Sequence, residues 1–268
     1  MRHIKLLLAA SLFASTINAQ IPTESQLFLT KTLSETNLQK EELLQKFMNF
    51  DFSTLWTKND EAILGFIGDN YQRINVKYLA IIKNIKDPNI YYAYGKTKVK
   101  TNICQFIGEI ELINIRKIED QEKQLLYEEA KRQNDVEAIR RFSKDQFIIL
   151  AKYTLFEDQH QQGTGIFKGI LKTYFYTDSD KVYYDDLDIV SDIYSNNQYV
   201  GTWTSYISGS SKRCNWGEYR IPNSGDLDIG VGDFSPNAKY LNSGWNTYYN
   251  AYINNDPFAR KDEKIKWW

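Results

Sequence analysis

The stretch YYAYGKTKVKTNICQFIGEIELINIRKI, residues 91–118, predicts the fold class of this 268-residue chain. Its first half places Lys96, Lys98 and Lys100 on one face, and threonine and valine on the other. Its second half, FIGEIELINIRKI, alternates in the same way. A period of two is typical of antiparallel strands that have one face in water. We therefore predict that this stretch contributes strands to a half-wet antiparallel sheet.

The same alternation recurs along the chain in YQRINVKYLAII, QFIILAKYTLF and GIFKGILKTYFY. A motif of one aromatic residue, any residue and a glycine also recurs, ending at Gly68, Gly108, Gly169 and Gly201. Glycines within strands mark bends, bulges or close backbone approach. The sequence therefore predicts a mainly β protein, built as a curved antiparallel sheet or a barrel-like meander.

Two segments have a helical pattern instead. Thr36 opens a capping-box pattern, and apolar residues recur behind it at helical spacing, which predicts an amphipathic helix to about Asn49. Residues 119–142 lack glycine and proline and carry charges four positions apart, which predicts one charged helix inserted between strands. The predicted organisation is an N-terminal segment over 20–59, a β-rich domain over 60–258 and a charged, tryptophan-containing tail over 259–268.

The first 19 residues have the layout of a secretory signal peptide. Arg2 and Lys5 precede a short apolar run, and a small residue, Ala19, ends a plausible cleavage motif. That apolar run is too short to cross a bilayer, and we expect no transmembrane span elsewhere. We expect an exported protein that is periplasmic or secreted.

The composition argues against several chemistries. His160 is the one histidine left after export, and a histidine-rich zinc site needs more. The chain contains no phosphate-binding loop, dinucleotide fingerprint or nucleophile elbow. Removing Arg2 and Lys5 changes the formal charge from −1 to −3, which is too balanced to predict nucleic acid as a partner. We expect no cofactor.

The two cysteines, Cys104 and Cys214, have no CxxC partner. An exported chain with two cysteines favours one disulfide between them. Two separate buried thiols are the alternative, because cysteine is also a good small core residue.

Carboxylates are the remaining side chains that could bind a metal ion or act in catalysis. They form one cluster over 185–192 and a second at Asp226, Asp228 and Asp233. The second cluster is a weak candidate for Ca²⁺, and paired acids could serve a glycosidase. Solvated turns are the third interpretation, because Asp is an ordinary turn former.

We predict a binding surface within residues 184–234, because aromatic, glycine and acidic residues are concentrated there. Trp203, Trp216 and Tyr219 are the candidate aromatic platforms, and Asp226 and Asp228 are the candidate hydrogen-bond acceptors. Aromatic faces stack on sugars while carboxylates accept from hydroxyls, so a glycan or a peptide is the expected partner. The competing interpretation places the tryptophans in the core.

The segments YGKTKVKTNICQFIG, GTGIFKGILKT and CNWGEYRIPNSGDLDIGVGDFSPN resemble a group of uncharacterised exported proteins from Bacteroidota. The resemblance implies export and a β-rich architecture, and it carries over no site residues. Three hypotheses remain open: a non-enzymatic binding or structural module, a carbohydrate-active hydrolase using paired carboxylates, and a lipocalin-like carrier. The carrier is suggested by Gly201-Thr202-Trp203, which matches the short Gly-x-Trp signature of lipocalin-like barrels.

Overall fold

The structure, a computed structural model, describes residues 23–119, 123–189 and 191–268. The predicted signal peptide, residues 1–19, lies outside these residues. The strands are β1 Ile63–Ile67, β2 Gln72–Lys83, β3 Ile90–Val99, β4 Asn102–Lys117, β5 Asp145–Glu157, β6 Gly165–Asp178, β7 Lys181–Tyr184, β8 Asn196–Ser205 and β9 Ser211–Glu218. The helices are α1 Thr23–Leu33, α2 Leu44–Phe47, α3 Ser53–Thr57, α4 Lys123–Gln133, α5 Val136–Phe142, α6 Asn246–Tyr252 and α7 Pro257–Glu263.

Eight of the strands form a closed antiparallel barrel. Their order is β5-β4-β3-β2-β1-β9-β8-β6, and the pairing of β5 with β6 closes the ring. The ninth strand, β7, pairs with the last residues of β6. The mainly β prediction and its barrel-like variant are confirmed.

Two of the recurrent glycines allow the barrel wall to close around a filled interior. Gly169 of β6 and Gly201 of β8 are paired directly. The Tyr153 hydroxyl lies where a side chain at either glycine would begin. A glycine pair is therefore required here, because any Cβ would overlap that hydroxyl or the neighbouring backbone.

Large aromatic side chains fill the middle of the barrel. Trp216 is fully buried, and its ring centre lies 4.9 Å from that of Tyr199 and 5.1 Å from that of Tyr153. Tyr78 also stacks on Tyr199, with ring centres 5.7 Å apart. Close packing of this kind is typical of a solid protein core.

Helices α2 and α3 plug one end of the barrel, which we call the plugged end. The side chains of Phe52 and Trp56 are buried there with the core of the barrel. The Trp56 Nε1 donates to Thr173 Oγ1 at 2.9 Å, and that hydroxyl donates to Asn197 Oδ1 at 2.8 Å. Asn197 Nδ2 then donates to Glu218 Oε2 at 3.1 Å. A hydrogen-bonded chain thus joins the plug to the strands.

The opposite end is formed by the hairpins after β1, β3, β5 and β8, and we call it the hairpin end. Buried Glu157 organises it, since its carboxylate accepts from Thr97 Oγ1, the Gly165 N–H and Trp203 Nε1 at 2.6, 2.9 and 2.8 Å. One acidic side chain of β5 therefore holds strands β3, β6 and β8 together at this end.

Helices cover two sides of the outer wall. Helix α1 packs apolar side chains near Ile148, Leu150 and Ile170, and its Ser25 Oγ donates to the Val200 carbonyl at 2.6 Å. The C-terminal helices pack Trp245 against Phe66 and Tyr71 on the outside of β1. These covers explain why outward-facing residues such as Phe66 are buried.

Several sequence predictions need correction. No continuous helix spans Thr36–Asn49 in the described chain; Leu38 bridges to Ile118, and only Leu44–Phe47 is helical. The apolar residues of this segment close the barrel end, which accounts for their spacing. Residues 23–33 form a helix within the predicted N-terminal segment, and residues after Glu218, within the predicted β-rich domain, form helices and loops rather than strands. The charged insertion forms two helices, because Asn134 breaks the helix with a φ of 54° and Asp135 caps α5.

The predicted disulfide is also corrected: Cys104 and Cys214 are both buried, free thiols. Cys104 lies on β4 and Cys214 on β9, and three strands separate these two in either direction around the ring. The two residues therefore stand on opposite walls of the barrel, and the alternative of two buried thiols is what the structure has.

Candidate functional site

The glycine- and aspartate-rich run after β9 wraps around one arginine. The Arg220 guanidinium donates to Asp228 Oδ2 at 2.7 Å, and also to the carbonyl oxygens of Asp192, Gly230, Val231 and Gly232. Asp228 Oδ1 in turn accepts from the N–H groups of Gly230 and Ser235. The unusual composition of this run is therefore explained by a loop that satisfies a guanidinium with backbone oxygens.

Tyr219, beside this arginine, has a strained backbone. Its φ is 66°, a left-handed conformation that bulky side chains rarely adopt. It lies between Glu218, which is buried in the plugged end, and Arg220, which is fixed by the loop. Its half-exposed ring contacts that of Tyr194 edge-on, with centres 4.7 Å apart. Strain of this kind is retained where the surroundings hold it, and it clusters at functional sites.

A cleft of 420 Å³ opens in front of Tyr219. Four tyrosines line it, and we call it the tyrosine cleft: Tyr194, Tyr219, Tyr248 and Tyr252. The last two come from α6, where their ring centres lie 4.6 Å apart. Helix spacing of four residues puts these two rings on one face, so α6 completes a wall that begins after β9.

Both arginines that line the tyrosine cleft are held by hydrogen bonds within the protein. Arg220 is paired with Asp228, while exposed Arg260 donates to the Ala251 carbonyl and to Asn255. Burial raises the pKa of Tyr219, and the neighbouring Glu218 carboxylate raises it further. The phenols lining the cleft are thus neutral hydrogen-bonding groups with apolar ring faces.

A second cleft of 650 Å³ lies on the other side of Tyr194, and we call it the acidic cleft. Burial raises the pKa of Asp185, which lines it together with Asp188 and Glu119. Both oxygens of Asp185 are engaged, since it accepts from Gln146 Nε2 at 2.9 Å and from the Leu187 N–H at 3.1 Å. Asp188 pairs with Arg141. These carboxylates therefore fix the loop after β7.

The predicted aromatic platforms do not come together. Trp216 is fully buried in the barrel, so it is a core residue and the prediction of a surface role for it is wrong. Trp203 lies at the hairpin end on Glu157, while Tyr219 follows the other end of β9. Because β9 separates these two residues along the barrel, Tyr219 alone lies at the tyrosine cleft.

The predicted acidic residues also separate. Asp226 pairs with Lys239 and accepts a hydrogen bond from Tyr240 on the exposed surface, whereas Asp228 accepts one from Arg220. Asp233 alone of the three lines the tyrosine cleft. Within residues 23–119, 123–189 and 191–268, no group of three or more His, Cys, Asp or Glu side chains is placed to hold a metal ion.

Sequence reasoning missed several important residues. Tyr248 and Tyr252 stand in NTYYNAY, whose i,i+4 aromatic pair indicates one helix face, although the segment lies in the range predicted to be β-rich. Glu157, Asp185 and Glu218 are buried acids, and burial is the first cause of the raised pKa of each. Glu157 and Glu218 each end an alternating strand on its inward side, which is a signal that the sequence does contain.

Comparison with protein families, curated proteins and solved structures finds no match to this chain. Among the helices of the described residues, none is long and apolar enough to cross a membrane.

Proposed function

We propose that this barrel is an exported, non-enzymatic binding module that holds a short glycan in the tyrosine cleft. The observation that carries the proposal is Tyr219, a half-exposed aromatic residue held in a strained backbone at the mouth of a four-tyrosine cleft. Its strain is supported from both sides, by the buried Glu218 and by the Arg220 loop. Such support is expected where a ring must be presented in one fixed orientation.

The chemistry of the cleft supports a glycan. Tyrosine rings offer apolar faces for the C–H faces of sugars, and their hydroxyls exchange hydrogen bonds with sugar hydroxyls. Asp233 adds an acceptor at the rim. A volume of 420 Å³ is within the usual range for small-ligand sites.

The hydrolase alternative has less support. A glycosidase needs two carboxyl groups facing one bond, with one of them able to donate a proton. In the acidic cleft, Asp185 is bonded through both oxygens and Asp188 is paired with Arg141. The carrier alternative has less support because Tyr78, Tyr153, Tyr199 and Trp216 occupy the middle of the barrel.

A glycan array probed with the mature protein, followed by titration calorimetry with the strongest array glycan, tests this proposal. We expect Tyr219→Ala and Tyr252→Ala each to weaken binding about ten-fold, as loss of one stacked ring would. Tyr183→Ala is the matched control, since Tyr183 is 40% exposed against 46% for Tyr219 but lies on β7, outside the tyrosine cleft. That control should bind normally.

Two results would end the proposal. One is an array without binding together with binding to a peptide library. The other is glycan binding that Tyr219→Ala and Tyr252→Ala leave unchanged. Turnover of chromogenic glycosides that is lost in Asp185→Asn would instead favour the hydrolase.

A further inference from the structure

One side of the barrel carries exposed apolar side chains and has no helix over it. We call it the bare face and define it by Leu79, Ile82, Tyr92, Tyr94, Ile107 and Phe156. Their exposed fractions run from 37% for Tyr94 to 65% for Ile82 and Ile107. Large exposed apolar patches are uncommon on monomers and mark places where another surface binds.

The strand register makes the bare face continuous. Tyr94 of β3 is paired with Ile107 of β4, and Ile107 is paired with Phe156 of β5. One row further along, Ile82 of β2 is paired with Tyr92 of β3. Paired residues have side chains on the same face of a sheet and about 5 Å apart. These residues therefore form one apolar surface across four strands.

The tyrosines of the bare face are held in place before any partner arrives. The Tyr94 hydroxyl donates to Gln105 Oε1 at 3.2 Å, and the Tyr92 hydroxyl accepts from Asn84 Nδ2 at 3.0 Å. A fixed ring loses less conformational entropy on binding than a free one. The two tyrosine rings of the bare face are thus preorganised for binding.

On other sides of the barrel, helices cover the outward-facing apolar residues. Helix α1 covers the outward residues of β5 and β6, and the C-terminal helices cover those of β1. No helix of the described chain is left over to cover β3 and the adjacent half of β4. The apolar residues there are therefore exposed in the isolated chain.

The rim of the bare face carries charges of both signs. Lys96 follows Tyr94 by two residues on β3, and Glu109 follows Ile107 by two residues on β4. Because the strands are antiparallel, the two charges lie on opposite sides of the Tyr94–Ile107 pair. Within the described residues, neither side chain forms an ion pair.

We propose that the occupant of the bare face is a second copy of this chain, packed sheet on sheet about a two-fold axis along the Tyr94–Ile107 row. This axis places Glu109 of the copy opposite Lys96. By symmetry, Lys96 of the copy lies opposite Glu109. An isologous interface requires this self-complementarity. Aligned sheets pack about 10 Å apart, a gap that the two long side chains can bridge.

The mixed charge of the rim is what favours a second copy over an anionic membrane surface. A bilayer of anionic lipid would attract Lys96 but repel Glu109, which lies beside Tyr92. A second copy pairs both charges. The dimer interface uses the side of the barrel, so it leaves the tyrosine cleft at the plugged end free.

Sedimentation velocity over a concentration series of the mature protein tests the dimer. We expect a monomer–dimer equilibrium that Ile107→Glu weakens by at least about ten-fold, because it buries a charge in the apolar centre. Lys96→Glu and Glu109→Lys should each weaken it by about ten-fold, since each sets like charges against one another. The double variant carrying both reversals should restore dimerisation. Lys181→Glu, on the exposed strand β7, is the matched control and should dimerise normally.

Rescue by the double reversal distinguishes a direct contact from a folding defect, because both single changes are present in it. A protein that stays monomeric throughout the series would overturn the proposal. So would a dimer that tolerates Ile107→Glu, or a double reversal that dimerises no better than the single changes.

Discussion

Arg220 Nη1 lies 2.7 Å from Asp228 Oδ2, and this pair is the centre around which the loop after β9 is folded. Both side chains are largely buried, at 18% and 8% exposure. The backbone carbonyls of the loop complete the shell of the guanidinium. The pair therefore fixes the loop and, through the neighbouring residue Tyr219, the wall of the tyrosine cleft.

Replacing Arg220 by Met should lower the free energy of unfolding by about 3 kcal/mol. The substitution leaves the Asp228 carboxylate and several carbonyl oxygens without their hydrogen-bond donor, away from solvent. The free-energy cost of these unpaired groups exceeds the net stabilisation that the ion pair provides. Urea denaturation measures the loss. Hydrogen exchange should show residues 228–235 opening before the barrel does.

The matched control is Lys239→Met, which breaks the pair between Lys239 and Asp226. That pair is about half exposed on both sides, and exposed pairs contribute little. We expect unchanged stability. Equal losses for the two variants would contradict the role given to Arg220.

Gly201→Ala should destabilise the barrel by about 3 kcal/mol. Its Cβ would overlap the Lys168 carbonyl oxygen and the Tyr153 hydroxyl, so the wall or the core must move. Combining it with Tyr153→Phe should recover part of the loss, because one of the two overlaps disappears. Chemical denaturation of the two single variants and the double variant measures this coupling.

Gly209→Ala is the control for that series. Gly209 has a positive φ, 65°, which Gly201 does not, and nothing lies within 4 Å of its absent Cβ. We expect a cost of about 1 kcal/mol from backbone conformation alone. A Gly201→Ala variant as mild as this control would mean that the wall yields easily at the glycine pair.

The two thiols should be present in reduced form and slow to react. Burial raises the pKa of Cys104 to about 11, and it raises that of Cys214 further above the usual value. Since the thiolate is the reactive species, Ellman's reagent should label both residues only after unfolding. Adding dithiothreitol should leave the melting temperature unchanged. An intact mass lower by two hydrogens than the reduced chain would show that a disulfide forms after all.

The hairpin of β3 and β4 shows how much of the fold could be predicted from sequence. Its alternation reports which side chains meet the core, and this requires only the two-residue period of a strand. The segment 36–49 shows the limit. Leu43 and Phe47 are spaced as on a helix, yet the Leu43 N–H donates to the Ile115 carbonyl and the segment follows the end of β4. Tertiary pairing overrode a local pattern.

The candidate site was harder to predict because it forms where elements that are distant in the sequence meet in the fold. Tyr219 was identified from its neighbourhood in the sequence, whereas Tyr248 and Tyr252 reach the same cleft from a helix 29 residues later. Trp216 and Trp203 differ in role because of strand position: the first faces the middle of the barrel and the second its hairpin end. Neither position can be recognised before the closure of the barrel is known.

Glu157 should make the protein more stable in mild acid than at neutral pH. Burial raises its pKa, and the three donors to its carboxylate offset only part of this effect. The unfolded chain has an ordinary glutamate pKa of about 4.3, so between that pH and the folded pKa the folded state holds the extra proton. This stabilising contribution is complete below the unfolded pKa and is lost as the pH rises through the folded pKa.

Glu157→Gln tests this sign, because glutamine keeps the shape of the side chain and does not titrate. It can accept from Trp203 Nε1 and the Gly165 N–H through its oxygen while its amide donates to the Thr97 hydroxyl. We therefore expect its unfolding free energy, relative to that of the unsubstituted protein, to increase from pH 4 to pH 8. Urea denaturation at several pH values measures the difference. A constant difference would show that the donors fully offset the effect of burial on the pKa of Glu157, and a decreasing one that they outweigh it.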